Sequence, residues 1–288
     1  MFKAMYSFLI NAVASILVIL ALQSSPATAN TSDSVKVSVQ LWSVKEALKA
    51  DFNATITSLA DMGFQGLEFA GDFGPYENNP RALKNKLASL DLVASSAHIG
   101  FDALTDTRLM ETLLFYKTLG VTTLFVPWDE RAWDPKGIMS LTKQLTAMNE
   151  IAQKYEMQIG FHNHNREFEQ FNNATYWDAI ASNTPTNLPL QLDIGWVHYA
   201  GKEPLYFIKK YAGRTYATHL KVRTHENDGL SPIFGENNYP WQKIIQALIT
   251  DGGTQWLVVE QEEYPAGLTP LQSVAKSKAN LDKILHSM

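Results

Sequence analysis

From residue 35 onward the chain switches eight times between a short β-rich apolar run and a longer stretch of helical periodicity. Runs 35–41, 66–69, 92–98, 122–126, 158–162, 188–193, 216–221 and 256–260 predict strands. Stretches 52–62, 80–90, 107–119, 135–155, 176–182, 203–211, 240–251 and 270–286 predict helices. Several boundaries carry physical signals. Gly120 follows the third helix, where a left-handed cap costs glycine little. Pro80, Pro240 and Pro270 stand in first turns, where a missing N–H does no harm. Gly63 and the pair Gly252-Gly253 end helices before strands. Eight strand-then-helix units in this length predict an α/β fold, a single-domain (β/α)8 TIM barrel. An open doubly wound sheet is the alternative. Such a sheet often carries a glycine-rich phosphate loop after its first strand, and Leu41-Trp42-Ser43-Val44 has no glycine.

The segment ahead of the barrel reads as a signal peptide over residues 1–29. Lys3 gives the positive start, an apolar stretch runs from Phe8 to Leu22, and Ala27-Thr28-Ala29 offers a small-residue cleavage site. The apolar stretch is shorter than the roughly 20 residues of a spanning helix, which favours cleavage over a retained anchor. Cleavage near Ala29 leaves a domain of residues 30–288 that begins at Asn30. The expectation is a periplasmic or secreted protein with no membrane attachment. The twin-arginine signal is missing, which points to export of an unfolded chain and metal loading afterwards. Removing Lys3 takes Lys and Arg from 24 to 23 against 29 acids, a formal charge of −6.

Composition removes several function classes. Cysteine is absent, which excludes thiolate metal sites, Cys nucleophiles, disulfides and a lipidated N-terminus. The full chain has a net charge of −5 and no basic run beyond Lys209-Lys210, so a nucleic-acid partner is not expected. Hydrophobic residues at 45% supply a sizeable core.

In a barrel of this kind chemistry gathers where strands end, at the C-terminal face. The expected strand ends carry Gln40, Glu68, His98, His162 with His164, Asp193, His219 with Lys221, and Glu260. The sharpest subset is His162, Asp193, His219 and Glu260, separated by 31, 26 and 41 residues, one strand–helix unit each. Two imidazoles and two carboxylates at neighbouring strand ends suit one divalent ion of Mn, Zn, Co, Fe or Ni better than Ca. Singly, each residue has a plainer reading. A lone buried histidine is usually a hydrogen-bonded core residue, Asp193 could cap the next turn, and Glu260 could open a solvated acidic loop. Alternation puts His162 and His164 on one side if the strand continues, and either could bind the ion while the other meets substrate. Gln40, Glu68, His98 and Trp196 are candidates for holding substrate. Trp42, Phe69 and Trp128 could stack on a sugar or simply pack the rim.

These residues resemble the sugar phosphate isomerase/epimerase group of the xylose-isomerase-like TIM-barrel superfamily. The resemblance spans nearly all of residues 35–285. It is carried by Val39-Gln40-Leu41-Trp42-Ser43-Val44, Gly66-Leu67-Glu68-Phe69-Ala70-Gly71, Gly160-Phe161-His162-Asn163-His164 with Glu167-Phe168, Leu192-Asp193-Ile194-Gly195-Trp196, His219-Leu220-Lys221 and Val258-Val259-Glu260. It implies an ion held by Glu, Asp, His and Glu at the ends of strands five to eight. That places His162 where relatives have the first Glu, followed by Asp193, His219 and Glu260. It also implies an isomerase or epimerase acting on a carbohydrate, with Glu260 as the base beside a carbonyl and His162, His164 or Lys221 as opposing acid. His162 departs from the two-glutamate proton exchange of the epimerases, which moves weight toward a lyase or dehydratase acting on a keto-glycoside. Val222, where many relatives have Asp, is a second departure. Two further readings are a non-catalytic sugar-binding protein and an apurinic-endonuclease-like phosphodiesterase. The acidic charge and the export signal oppose the latter.

Overall fold

In the computed structural model, which describes residues 35–225, 231–265 and 267–288, eight parallel strands close into one barrel. In chain order these are β1 (Lys36–Gln40), β2 (Gly66–Phe69), β3 (Val93–His98), β4 (Thr123–Val126) and β5 (Gln158–His162). A two-stranded hairpin outside the barrel, β6 (Gln170–Phe171) with β7 (Ala174–Thr175), precedes β8 (Leu190–Asp193), β9 (Ala217–Leu220) and β10 (Trp256–Val259). The first and last strands pair in parallel from Lys36 with Trp256 to Val39 with Val259, which closes the ring. The expected signal segment lies outside the described residues.

Each expected helix has a counterpart: α2 (Phe52–Asp61), α3 (Pro80–Ala88), α4 (Leu109–Leu119), α5 (Ile138–Gln153), α6 (Tyr176–Ser182), α8 (Pro204–Lys210), α9 (Trp241–Ala247) and α10 (Pro270–His286). Gly120 takes the left-handed cap, at φ +107°. Two short helices, α1 (Lys45–Ala50) and α7 (Ile194–Tyr199), were not expected. Each has six residues, too few to show a helical period against the loop around it. The helix expected over 240–251 ends as α9 at Ala247 and widens into a looser turn from Leu248 to Gly252.

Strand alternation sorts the barrel into two cores. Val37, Val39, Leu67, Leu124, Ile159, Phe161, Leu192, Leu220, Leu257 and Val259 face the helices in the main apolar cluster. A separate cluster of Phe125, Ala217, Trp256 and Val258 fills the barrel interior. Above that plug the same inward register continues two residues further along each strand. Ala217 leads to His219 and then Lys221, and Trp256 leads to Val258 and then Glu260. The interior is therefore apolar at the bottom and charged at the top, with one alternation producing both.

Candidate active site

The inward side chains at the C-terminal ends of the strands form one connected, buried polar network. Glu68 is its hub. Its Oε1 accepts Gln40 Nε2 at 2.7 Å and pairs closely with His219 Nε2. Its Oε2 accepts Ser96 Oγ at 2.5 Å and Gln191 Nε2 at 2.6 Å. Gln191 Oε1 in turn lies 2.6 Å from His98 Nε2 and 2.9 Å from His162 Nδ1. Because the Gln191 amide nitrogen is spent on Glu68, its oxygen must accept from both histidines. That assigns the proton to Nδ1 of His162 and leaves its Nε2 lone pair free, 4.0 Å from Asp193 Oδ2. By the same logic Glu68 takes the Nε2 proton of His219, and Nδ1 faces Glu260 Oε2 at 2.8 Å and Asp193 Oδ2 at 3.8 Å.

These hydrogen bonds provide a test of whether the residues suit a metal ion. Ligand atoms of Asp193, His219 and Glu260 lie within 4.8 Å of one another, as do those of His98, His162 and His219. His162 is not in the first set, but its Nε2 points to the same Asp193 oxygen. The Asp193 Oδ2 atom is buried and accepts no well-directed hydrogen bond. A histidine whose far nitrogen donates to a carboxylate or an amide oxygen is the usual arrangement of a metal-binding imidazole. The expected quartet therefore fits one divalent ion, with Gln191 holding His162 in the binding tautomer and Glu68 taking the Nε2 proton of His219, whose Nδ1 proton an ion would displace.

Charge gives the same answer. Lys221 Nζ lies 2.9 Å from Asp193 Oδ2, 2.9 Å from Glu260 Oε2 and 3.1 Å from Glu262 Oε2. Burial opposes its charge, but Asp193, Glu260 and Glu262 outweigh it and hold Lys221 protonated above the ordinary lysine range. Burial likewise opposes ionisation of Glu260, and Lys221 with His219 overcomes it, which keeps that carboxyl well below its usual range. For Glu68, burial is outweighed by His219 and His98, and the value falls to about 2. The site thus gathers four carboxylates, Glu68, Asp193, Glu260 and Glu262, around the charges of Lys221 and His219. Burial costs such a cluster several kcal/mol per ion unless charges are matched. A divalent cation would supply the missing positive charge.

The histidines facing the cavity are neutral. Burial, followed by the positive charge of His219, holds His162 well below the usual histidine range. Burial and then Lys221 push His164 down to about 3. His164 Nδ1 is buried without a hydrogen-bond partner, and its ring stands edge-on to Trp128 at 5.1 Å. A neutral imidazole there offers a hydrogen-bond donor rather than a base.

The cavity above the network has a volume of about 810 Å³ and is lined by His98, His162, His164 and Glu260 together with Trp42 and Trp128. Gln40, Glu68 and Trp196, all expected at the substrate, are not among its lining residues. Gln40 and Glu68 lie beneath it as supports of the histidines, while the Trp196 ring covers Lys221 Nζ at 5.0 Å. Sequence reasoning missed Gln191, Ser96 and Glu262. Gln191 precedes Asp193 by two residues on β8 and Glu262 follows Glu260 by two, so strand alternation was the available signal.

A family profile described as xylose isomerase-like TIM barrel matches residues 56–284. Inosose dehydratase 1 of Bacillus cereus is 25% identical, over 79% of this chain and 87% of that protein. Inosose dehydratase of Lacticaseibacillus casei is 23% identical over 82% and 90%. A sugar phosphate isomerase/epimerase from Parabacteroides distasonis superposes with a TM-score of 0.72 at 23% identity, covering 89% of this chain and 95% of that one. The IolI protein with a bound zinc atom superposes at 0.67 and 15% identity, covering 88% and 99%. With four-fifths of its length matched and the same closed barrel, the chain is an enzyme of the xylose isomerase-like TIM-barrel family.

Proposed function

We propose that the protein removes the proton next to a carbonyl of a sugar or keto-sugar, with the help of one divalent ion held by His162, Asp193, His219 and Glu260. The observation that carries this reading is the convergence of Asp193, His219 and Glu260 donor atoms within 4.8 Å below an open cavity. The bound ion, of Mn, Zn, Co, Fe or Ni, would polarise the sugar oxygens and acidify the neighbouring C–H. The residues of the chain do the rest. The partners of Glu260 engage its Oε2, which leaves Oε1 to take the proton. The C–H electron pair moves onto the carbonyl oxygen. His164, neutral and with an unpartnered ring nitrogen, is placed to donate a hydrogen bond to that developing charge. Lys221 keeps Glu260 ionised, and with three carboxylates around it its part is electrostatic.

Return of the proton to another atom or another face gives isomerisation or epimerisation. Expulsion of the neighbouring oxygen with a proton gives elimination, as in a dehydratase or a keto-glycoside lyase. His162 favours the second outcome, because a neutral imidazole stands where a second glutamate would serve the opposite face. The likeness to inosose dehydratases along most of the chain supports it as well. The test is elemental analysis followed by turnover. About one transition-metal ion per chain, lost in His162→Ala and Asp193→Ala, is expected. Deuterium uptake or elimination with keto-sugars, abolished in Glu260→Gln, should follow. Metal and sugar binding without any turnover would replace this reading by a sugar-binding protein. We further propose export with cleavage after Ala29, on the sequence pattern described above. N-terminal sequencing of the periplasmic protein should begin at Asn30, and a chain retaining Met1 in the membrane fraction would overturn it.

A further inference from the structure

The cavity is much larger than the catalytic corner requires, and its lining is of two kinds. At about 810 Å³ it belongs to the upper part of the roughly 300–1,000 Å³ range of pockets for drug-sized ligands, well beyond one sugar ring. His98, His162, His164 and Glu260 form the part of the lining that carries the chemistry. Another part of the lining is aromatic: Phe73 from the loop after β2 meets Phe115 of α4 edge-on at 4.8 Å and Tyr116 at 6.0 Å. Phe73 also stacks on Phe69 at 5.5 Å with the rings 19° apart, which fixes the wall from behind. Gly74 allows this placement, since its φ is +52° and any Cβ there would collide with the Phe52 ring. The faces of Phe73 and Phe115 suit a flat apolar group, while Glu111 and Thr112 line the cavity from the same helix as Phe115.

Charge narrows the occupant further. Glu77, Asp102, Glu111, Glu260 and Glu262 line the cavity, against the single guanidinium of Arg108, which already pairs with Asp102 at 3.5 Å. A phosphorylated substrate would meet an excess of carboxylates, which disfavours an anionic ligand. We infer that the substrate is a neutral keto-sugar glycoside with an aromatic aglycone, the sugar over the metal-binding corner and the aglycone against Phe73 and Phe115. This rests on the sugar chemistry proposed above and adds the second half of the substrate.

Aryl and methyl glycosides of the same keto-sugar separate the two ideas. The aryl compound should show at least about tenfold higher kcat/KM, and that preference should shrink toward unity in Phe115→Ala. Equal turnover of aryl, methyl and free keto-sugar overturns the aglycone site while leaving the proton abstraction intact. Preference for a phosphorylated sugar or a disaccharide overturns it too. If none is turned over, the proposed reaction fails, and titration of the metal-loaded protein with aryl and methyl glycosides still decides this inference. Binding at least about tenfold tighter for the aryl ligand supports it, and equal or absent binding overturns it.

Discussion

Gln191 shows how much a single uncharged side chain can set. One amide spans Glu68, His98 and His162, and its fixed polarity decides which nitrogen of His162 is free. Gln191→Met keeps the volume and removes that instruction. Metal affinity, measured by competition with a coloured chelator, should fall about 10- to 100-fold with the fold unchanged. Unchanged affinity would show that the ring is held by packing alone. Lys221 tests the charge balance instead. Lys221→Met leaves Asp193, Glu260 and Glu262 facing one another in a buried place and should cost about 3–5 kcal/mol in denaturant unfolding of the metal-free protein. Added metal should recover part of that loss, since the ion would then carry the positive charge. These roles were only half legible in the sequence. The charged strand-end residues stood out because carboxylates and imidazoles are rare in an inward register. Gln191 and Ser96 did not, because a buried amide or hydroxyl acquires meaning only from its neighbours. Ser96 also depends on the register shift between Leu67 and Glu68, which brings Glu68 opposite Ser96 and which no periodicity announces.

At the scale of elements, the start of α6 carries a titratable lock outside the active site. Thr175 Oγ1 and N both donate to Asp178 Oδ2, at 2.7 Å and 2.9 Å, and Asp178 N returns a bond to Thr175 Oγ1 at 3.1 Å. Lys210 Nζ of α8 and Tyr211 Oη reach Asp178 Oδ1 at 2.9 Å and 2.5 Å, which ties two helices together. Burial raises the Asp178 carboxyl, but these bonds outweigh it and its value in the folded state is lowered. A lowered carboxyl stabilises the fold above the unfolded value of about 4 and loses that contribution as pH falls through the folded value. Asp178→Asn should therefore cost about 1 kcal/mol at neutral pH and progressively less below pH of about 4, as read from unfolding midpoints across pH. A loss independent of pH would assign the effect to packing. Strand β5 makes a different demand. A Cβ on Gly160 would collide with the Pro189 carbonyl ahead of β8, so Gly160→Ala should destabilise by about 1–3 kcal/mol through overpacking. The strands and long helices were legible because their apolar periods are long. The short helix α7 was not, because its six residues start from a single capping bond that the Trp196 N–H donates to Asp193 Oδ1 at 3.0 Å.

At the scale of the whole molecule, the site belongs to the closed barrel rather than to any part of it. Glu68 on β2 and His219 on β9 are 151 residues apart, and Glu260 follows the last strand. A metal bound there stabilises only the completed ring, by an amount that grows with the ratio of free metal to its dissociation constant. Removal of the ion with a chelator should lower the unfolding temperature measurably, and restored metal should raise it again. No shift in either direction would mean that the ring is indifferent to the ion. The pairing of β1 with β10 adds an order of events in time. Because the strand that Glu260 follows is synthesised after every other strand and docks against the first, no partial chain holds the complete ligand set. On the proposed metal site, capture of the ion would thereby be a late step of maturation, and a metal-loaded molecule would be one whose chain has already found its way home.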